Sequence, residues 1–313
     1  MPLTQVTSDQ LKLVTGAAFL YAAGRAGSRV AGANQHGLRA VCSWIPIAAL
    51  TVGAVLLHEQ GVALAIIFAT TVGSLSLVGG CVAIMGETKD EPAQWPAPAR
   101  RVATLLLPTA LLAFLAGFSG YLDYFSAVIL VVEGVILLVV WRERDPDALP
   151  QKAIAGAIPT IRLIAALILS VAGAWSVLHG MIGLGRNMDF LPLGVASTIA
   201  LCPLLVAPML LGGSELSQAG RAWAGSMTQI GVAQLNLCAL LPLTAVLWRV
   251  RWGEALYYPV ANWRVDAVVI VLLSAGLLPA ASARWRPGRL EGAAQLIVYV
   301  AYVLAVIFVA GKT

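Results

Sequence analysis

Charge is what this sequence has least of. Asp, Glu, Lys and Arg make up 11% of its 313 residues, where a soluble domain carries roughly 25%. So few charged groups cannot cover a water-facing surface of this size. That excludes a soluble enzyme, a disordered chain and a nucleic-acid-binding protein. Histidine is scarce too: His36, His58 and His179 stand apart from one another, with no pair at metal-ligand spacing. There is no His-Glu-x-x-His pair, no Gly-x-Ser-x-Gly elbow, no Walker loop and no Gly-rich dinucleotide turn. No enzymatic chemistry, cofactor or ATP-driven step is therefore expected. The four cysteines, Cys42, Cys81, Cys202 and Cys238, lie in separate apolar stretches. They form no disulfide or metal pattern and read as small buried hydrophobes.

Apolar residues are abundant: 59% of the chain, with a mean hydropathy of +0.86. This composition belongs to an all-α integral membrane protein whose principal partner is the lipid bilayer. Apolar runs divided by polar or Gly/Pro clusters predict spans near 11–31, 40–57, 62–85, 102–118, 122–141, 162–178, 190–212, 222–248, 265–283 and 290–310. The first is the weakest, because Arg25 and Arg29 interrupt it; a nine-span count remains open. His58-Glu59-Gln60 is too short to be anything but a tight hairpin. Met1 to Gln10 holds no basic residue, so the first helix is not expected to be a cleaved signal. Trp44, Trp95, Trp141, Trp223, Trp248, Trp252, Trp263 and Trp285 fall near span ends and are expected in the interfacial belt.

With ten spans, fourteen of the twenty Lys and Arg residues fall on one side. Excess basic charge marks the cytoplasm. Both termini are then expected outside it, in a membrane of the bacterial inner type. The longest cytoplasmic connection, Trp141 to Arg162, divides the chain into units of 1–150 and 151–313.

Two segments recur at one offset. Thr70-Thr-Val-Gly73 returns as Thr228-Gln-Ile-Gly231, and Glu133-Gly134 returns as Glu291-Gly292, each 158 residues later (228 − 70 and 291 − 133). That offset moves five spans, an odd number. The second copy is therefore inverted in the membrane, the arrangement that many secondary transporters use for alternating access.

The final stretch, Gly288-Arg-Leu-Glu-Gly-Ala-Ala-Gln-Leu-Ile-Val-Tyr-Val-Ala-Tyr302, and the segment Leu167–Gly180 resemble the cation/calcium antiporter superfamily, the sodium/calcium exchanger membrane region. The resemblance implies ten spans in two inverted five-helix repeats with outward termini. It implies cation sites on the second and third helices of each repeat. The family's third-helix motif, Gly-Asn-x-x-Gly-Ser-Asn, appears here as Ala69-Thr70-Thr-Val-Gly73-Ser74-Leu75 and Met227-Thr228-Gln-Ile-Gly231-Val232-Ala233. Threonine replaces the first asparagine in both copies. The second-helix Gly-Thr-Ser-x-Pro-Glu-Leu motif is nearly gone. Glu59 aligns with its glutamate in the first half. Met209, or Leu204 in a shifted placement, takes that position in the second.

A buried divalent cation needs several hard oxygens and usually carboxylates. The calcium activity of the family is therefore not expected here. The expectation is secondary transport of a monovalent cation or proton by alternating access. Thr70, Ser74, Thr228, Gln229, Asn236 and Glu59 are the transport-pathway candidates, with no metal assigned. Glu59 also reads as a solvated hairpin residue beside His58. Asn236 and Gln234 also read as interhelical hydrogen-bond partners. Pro46, Gly73, Pro203, Pro208 and Gly231 are the helix-break candidates. Glu133 is either a proton relay or an interfacial residue, and Ser214-Glu215 reads as loop. The alternative is a transporter-derived structural subunit of a larger membrane complex. The eroded ligand set supports it, as do small packing residues such as Gly24, Gly27, Gly117, Gly180 and Gly183.

Overall fold

The computed structural model describes residues 3–28, 36–85, 95, 97–142, 157–187, 192–218, 222–282 and 288–310. The central connection between Trp141 and Arg162 lies largely outside the described residues. The first span is α1 (Leu3–Ser28) and the second α2 (His36–Leu56). In the third, α3 (Gln60–Gly73) passes through a π-helical stretch, Ser74–Val78, into α4 (Gly79–Met85). The fourth pairs α5 (Ala97–Thr104) with α6 (Leu106–Ala116), and the fifth is α7 (Tyr124–Arg142). The sixth is α8 (Ala157–Asn187). The seventh runs α9 (Leu193–Ala196), a π stretch Ser197–Leu201, and α10 (Cys202–Gln218). The eighth runs α11 (Ala222–Leu235), a π stretch Asn236–Leu240, and α12 (Leu241–Trp252). The ninth joins α13 (Val260–Gly276) to α14 (Leu278–Ala281), and the tenth is α15 (Arg289–Ala310).

Nine stretches among the described residues are long and apolar enough to cross a bilayer. The remaining helix, α1, carries Asp9 and Lys12 and lies along α8. Their backbones approach through glycine: a Cβ on Gly173 would stand 2.9 Å from Gly16 O, and one on Gly180 2.7 Å from Asp9 O. Gly24 fits in the same way against Pro208, and Gly117 against the Trp263 ring. Helices in lipid associate by such close packing, since burial from water is not available to drive them together.

Among the described residues the chain is an all-α integral membrane protein of ten helical spans, with the fold class of two inverted five-helix repeats. A small sheet fits that count. β1 (Tyr121–Leu122) pairs antiparallel with β2 (Leu256–Tyr257), so the turns before the fifth and ninth spans share one membrane face. Those turns are four crossings apart, as ten alternating crossings require. Packing between the halves is reciprocal. A Cβ on Gly73, in the third span, would meet Cys202 Sγ of the seventh at 2.5 Å. A Cβ on Gly231, in the eighth, would meet Ala40 Cβ of the second at 2.8 Å. The third and eighth spans form the centre, with 89% and 72% of their membrane windows buried, against 17% for α7 and 11% for α15. The outer pair presents Phe125, Val139, Leu290 and Ile297 outward, as lipid contact requires.

Several sequence expectations change. The ninth span begins at Val260 rather than 265, which draws Trp263 inside and sets Asp266 six residues from the helix start. Trp248 and Trp263 are core residues, not belt residues. Trp263 Nε1 donates to Phe114 O at 3.2 Å, and Trp248 stacks on His58 at 5.0 Å. Glu133 is the tenth residue of α7 and is buried, not interfacial. Glu291 is the third residue of α15, where it accepts from Gly288 N at 2.8 Å. The 158-residue spacing therefore does not set the two glutamates at equal depth. Glu215 is helical in α10 and pairs with Arg25 of α1 at 2.9 Å, rather than lying in a loop.

Candidate functional site

The polar centre of the molecule is assembled from the third and eighth spans. Thr70 and Thr71 sit at the end of α3, fully buried. The hydroxyl of Thr70 donates to Ile66 O at 2.6 Å and that of Thr71 to Ile67 O at 2.7 Å. Each hydroxyl has one hydrogen. With that hydrogen committed to the helix, each oxygen turns only lone pairs toward the centre. Asn236 of the eighth span faces them. Its Nδ2 donates to Thr70 Oγ1 at 3.0 Å and to Thr71 Oγ1 at 3.1 Å. Ile67 O lies 3.5 Å away. Asn236 Oδ1 is buried with no hydrogen-bond partner among the described residues.

The remaining candidates spread outward from this point. Ser74 follows Thr71 in the π stretch, and its hydroxyl donates to Thr71 O at 2.9 Å. Thr228 is eight residues from Asn236, roughly 12 Å along a helix. Its hydroxyl donates to Ala224 O of its own helix, so it does not join the cluster. Gln229 is buried and reaches a second polar spot. A Cβ on Gly79 would stand 3.4 Å from Gln229 Oε1 and 3.1 Å from Gln295 Oε1. Gln229 Nε2 and Gln295 Oε1 lack hydrogen-bond partners among the described residues. Gln234 Nε2 donates to Val102 O at 2.8 Å. Glu59 lies in the hairpin before α3, with its backbone N–H on Ala54 O. Eleven residues, roughly 16 Å of helix, separate it from Thr70.

The helices do not break at the residues expected. α2 is continuous through Pro46 and α10 through Pro208. Gly73 and Gly231 are helical. The irregularity takes the form of π turns, which recur at functional sites because they displace a helix's side-chain register. Pro203 stands two residues beyond the π stretch ending at Leu201, and Pro242 two beyond that ending at Leu240. Proline has no N–H, so the carbonyl four residues earlier loses its helical partner. Those carbonyls, Ile199 and Cys238, fall inside the π stretches. Pro242 was not among the sequence candidates, although its position relative to Asn236 carried the signal.

Two further residues escape a reading based on motifs. Cys202 Sγ donates to Ala69 O at 3.0 Å and receives the Tyr299 hydroxyl at 3.7 Å. It ties the seventh and tenth spans to the third beside Gly73. Asp266 is buried in α13 and accepts from two tyrosine hydroxyls. An apolar cavity of about 390 Å³ lies away from this centre, between α1, α8 and the seventh span, lined by Leu13, Met181, Leu193 and Ala200.

The centre is a set of neutral oxygens. No group of three or more His, Cys, Asp or Glu residues is placed to hold a metal among the described residues. Hydroxyls and carbonyls can replace part of the hydration shell of a monovalent cation. They do not balance the charge of a dehydrated divalent one.

Solved structures of similar fold cover almost the entire chain. Native YfkE matches with a TM-score of 0.72 at 15% identity, over 96% of this chain and 92% of that one. The sodium-calcium exchanger NCX_Mj, soaked with 10 mM Na⁺ and zero Ca²⁺, matches at 0.69 and 16%, over 96% and 99%. The H⁺/Ca²⁺ exchanger CAX matches at 0.67 and 14%, over 98% and 88%. At such identities the likeness is one of fold: the chain shares the membrane fold of these solved structures. No protein-family model matches the chain, and no curated protein matches it.

Proposed function

We propose that this chain, with its exchanger-type membrane fold, is a secondary transporter. It carries a monovalent cation or a proton by alternating access between the two inverted halves. The single observation that supports this most is the acceptor face of Thr70 and Thr71, met by Asn236 Nδ2, beside an amide oxygen, Asn236 Oδ1, that has no partner among the described residues. Rotation of the Asn236 amide would bring that oxygen beside the two hydroxyls and complete a neutral ligand set between the halves. Ser74 borders the set. Gln229, Thr228 and Glu59 would line the way to it. The halves divide in the central connection, as 1–150 and 151–313. The basic connections face the cytoplasm of a bacterial inner membrane, and both termini lie outside.

One observation favours a second reading, a transporter-derived subunit that no longer transports. The Asn236 amide nitrogen, a hydrogen-bond donor, sits against Thr70 Oγ1, Thr71 Oγ1 and Ile67 O, where a cation would sit. Purified protein in vesicles separates the two. Under imposed sodium, potassium or proton gradients, the first reading predicts flux above that of empty vesicles. Flux equal to empty vesicles for every ion, with stoichiometric membrane partners in mild detergent, favours the second.

A further inference from the structure

Among the described residues, the carboxylate buried most deeply within a membrane span is not in the Thr70–Asn236 cluster. Asp266 is 2% exposed and lies six residues into α13, roughly 9 Å along it. Its Oδ2 accepts from the Tyr258 hydroxyl at 2.9 Å and its Oδ1 from the Tyr302 hydroxyl at 2.8 Å. Both phenols are buried. Tyr258 is on the turn that leads into α13, and Tyr302 is on α15.

No cation faces this carboxylate from the elements packed on α13. The buried face of α6 offers Leu106, Thr109, Ala110 and Ala113. From α3 comes Phe68, which stacks on Tyr258 at 5.8 Å and meets Trp263 edge-on at 5.0 Å. The π stretch Ser74–Val78 and α14 carry no titratable side chain. Beyond Tyr302, α15 contributes Tyr299, whose hydroxyl is given to Cys202. On α13 itself, Arg264 is exposed and lies over the Phe118 ring. Among the described residues Asp266 has no ion-pair partner.

An ionised carboxylate in this place is sustained by hydrogen bonds alone, and two phenol donors supply one to each oxygen. A protonated carboxyl fits the same frame. It brings one donor of its own, so one phenol changes from donor to acceptor, which a tyrosine hydroxyl can do. The balance is simple: the carboxylate takes one proton from water and becomes a carboxylic acid, with no electron transferred. The phenol that turns acceptor re-aims its own hydrogen, so proton uptake changes the bonding of one phenol while the carboxyl keeps a contact to each.

We propose that Asp266, Tyr258 and Tyr302 form a proton-binding site separate from the Thr70–Asn236 cluster. The site spans the contact between the last two helices. Through the Tyr258–Phe68 stack it touches α3 two residues before Thr70. Proton uptake resets one of its two phenol bonds. It thereby changes how α13 or α15 is held against the centre.

The test needs no transport. Infrared difference spectra of the purified protein in lipid film, taken between acid and alkaline pH, report the carbonyl stretch of a protonated carboxyl. The expected result is a band that grows on acidification and is lost in Asp266→Asn. In Tyr302→Phe and Tyr258→Phe the band shifts in frequency, because each variant removes one partner of the carboxyl. If Asp266→Asn does not fold, the two phenylalanine variants decide the matter by that shift. A pH-dependent band that neither phenylalanine variant moves overturns the proposal. So does the absence of any Asp266-dependent change across the pH range in which the protein stays folded.

Discussion

Asn236 Nδ2 lies 3.0 Å from Thr70 Oγ1, across 166 residues of sequence and between opposite halves of the molecule. The contact joins the first residue of one π stretch to a residue four before the other. Its neighbour Thr71 Oγ1 shares the same amide nitrogen. Removing that amide tests what the contact holds. Asn236→Leu should lower stability by about 0.6–1.7 kcal/mol, the span measured for interhelical hydrogen bonds in membranes. Denaturant or thermal unfolding in detergent reads it directly. A variant as stable as the wild type would mean the amide contributes nothing to joining the halves.

Changing the amide to a carboxylate probes the electrostatics of the same point. In Asn236→Asp, an ionised oxygen would face hydroxyls whose hydrogens are already given to Ile66 O and Ile67 O. Oxygen would oppose oxygen with no hydrogen between them. The variant should be destabilised in cation-free buffer, and added cation should raise its melting temperature more than that of the wild type. Equal response of the two proteins would argue that the lone pairs do not converge there.

Close packing between the halves gives a third expectation. Gly73→Ala places a methyl 2.5 Å from Cys202 Sγ, an overpacking that costs about 1–3 kcal/mol. Adding Cys202→Ala removes the sulfur and should recover part of the loss. A double-mutant cycle measures the coupling. Strict additivity of the two substitutions would place the strain elsewhere.

Much of this was legible in sequence and some was not, for identifiable reasons. Span number and the His58 hairpin follow from hydropathy, because a bilayer demands long apolar runs and satisfied backbones. The hairpin is tight enough to hold His58 at φ 65°. Asn236 stood out because an amide inside an apolar helix needs a partner. Its partner set could not be read: Thr71 aligns with no motif residue, and pairing between distant spans leaves no local pattern. Asp266 has no motif to mark it, and its position next to a span start at 265 gives it no signal in the sequence. The helix starts earlier, at Val260, with the Trp263 backbone N–H on Pro259 O. The π stretches show how proline acts in a packed bundle. Pro203 and Pro242 widen a turn, while the surrounding helices keep the chain helical.

The fifth span offers a pH-dependent check on its start. Asp123, just outside α7, accepts the Ser126 backbone N–H at 2.8 Å, and that bond holds its carboxyl below the usual carboxylate range. The folded value is lower than the unfolded one. The stabilisation is therefore complete above the ordinary aspartate range and fades as pH falls through the depressed value. Asp123→Ala should cost about 0.5–2 kcal/mol at neutral pH, as for other N-caps, and the gap to the wild type should narrow on acidification. Melting curves across that range measure it. A gap that stays constant with pH would show that the ionised carboxylate is not what caps the helix.

The proposed cation site is a neutral oxygen set between the two halves. Titration calorimetry of the purified protein with Na⁺, K⁺ and Ca²⁺, beside a Thr70→Val/Thr71→Val double variant, tests it most directly. The account predicts saturable binding of at least one monovalent cation, lost in the double variant, and no saturable binding of Ca²⁺. Saturable Ca²⁺ binding, or monovalent binding that survives loss of both hydroxyls, would contradict it.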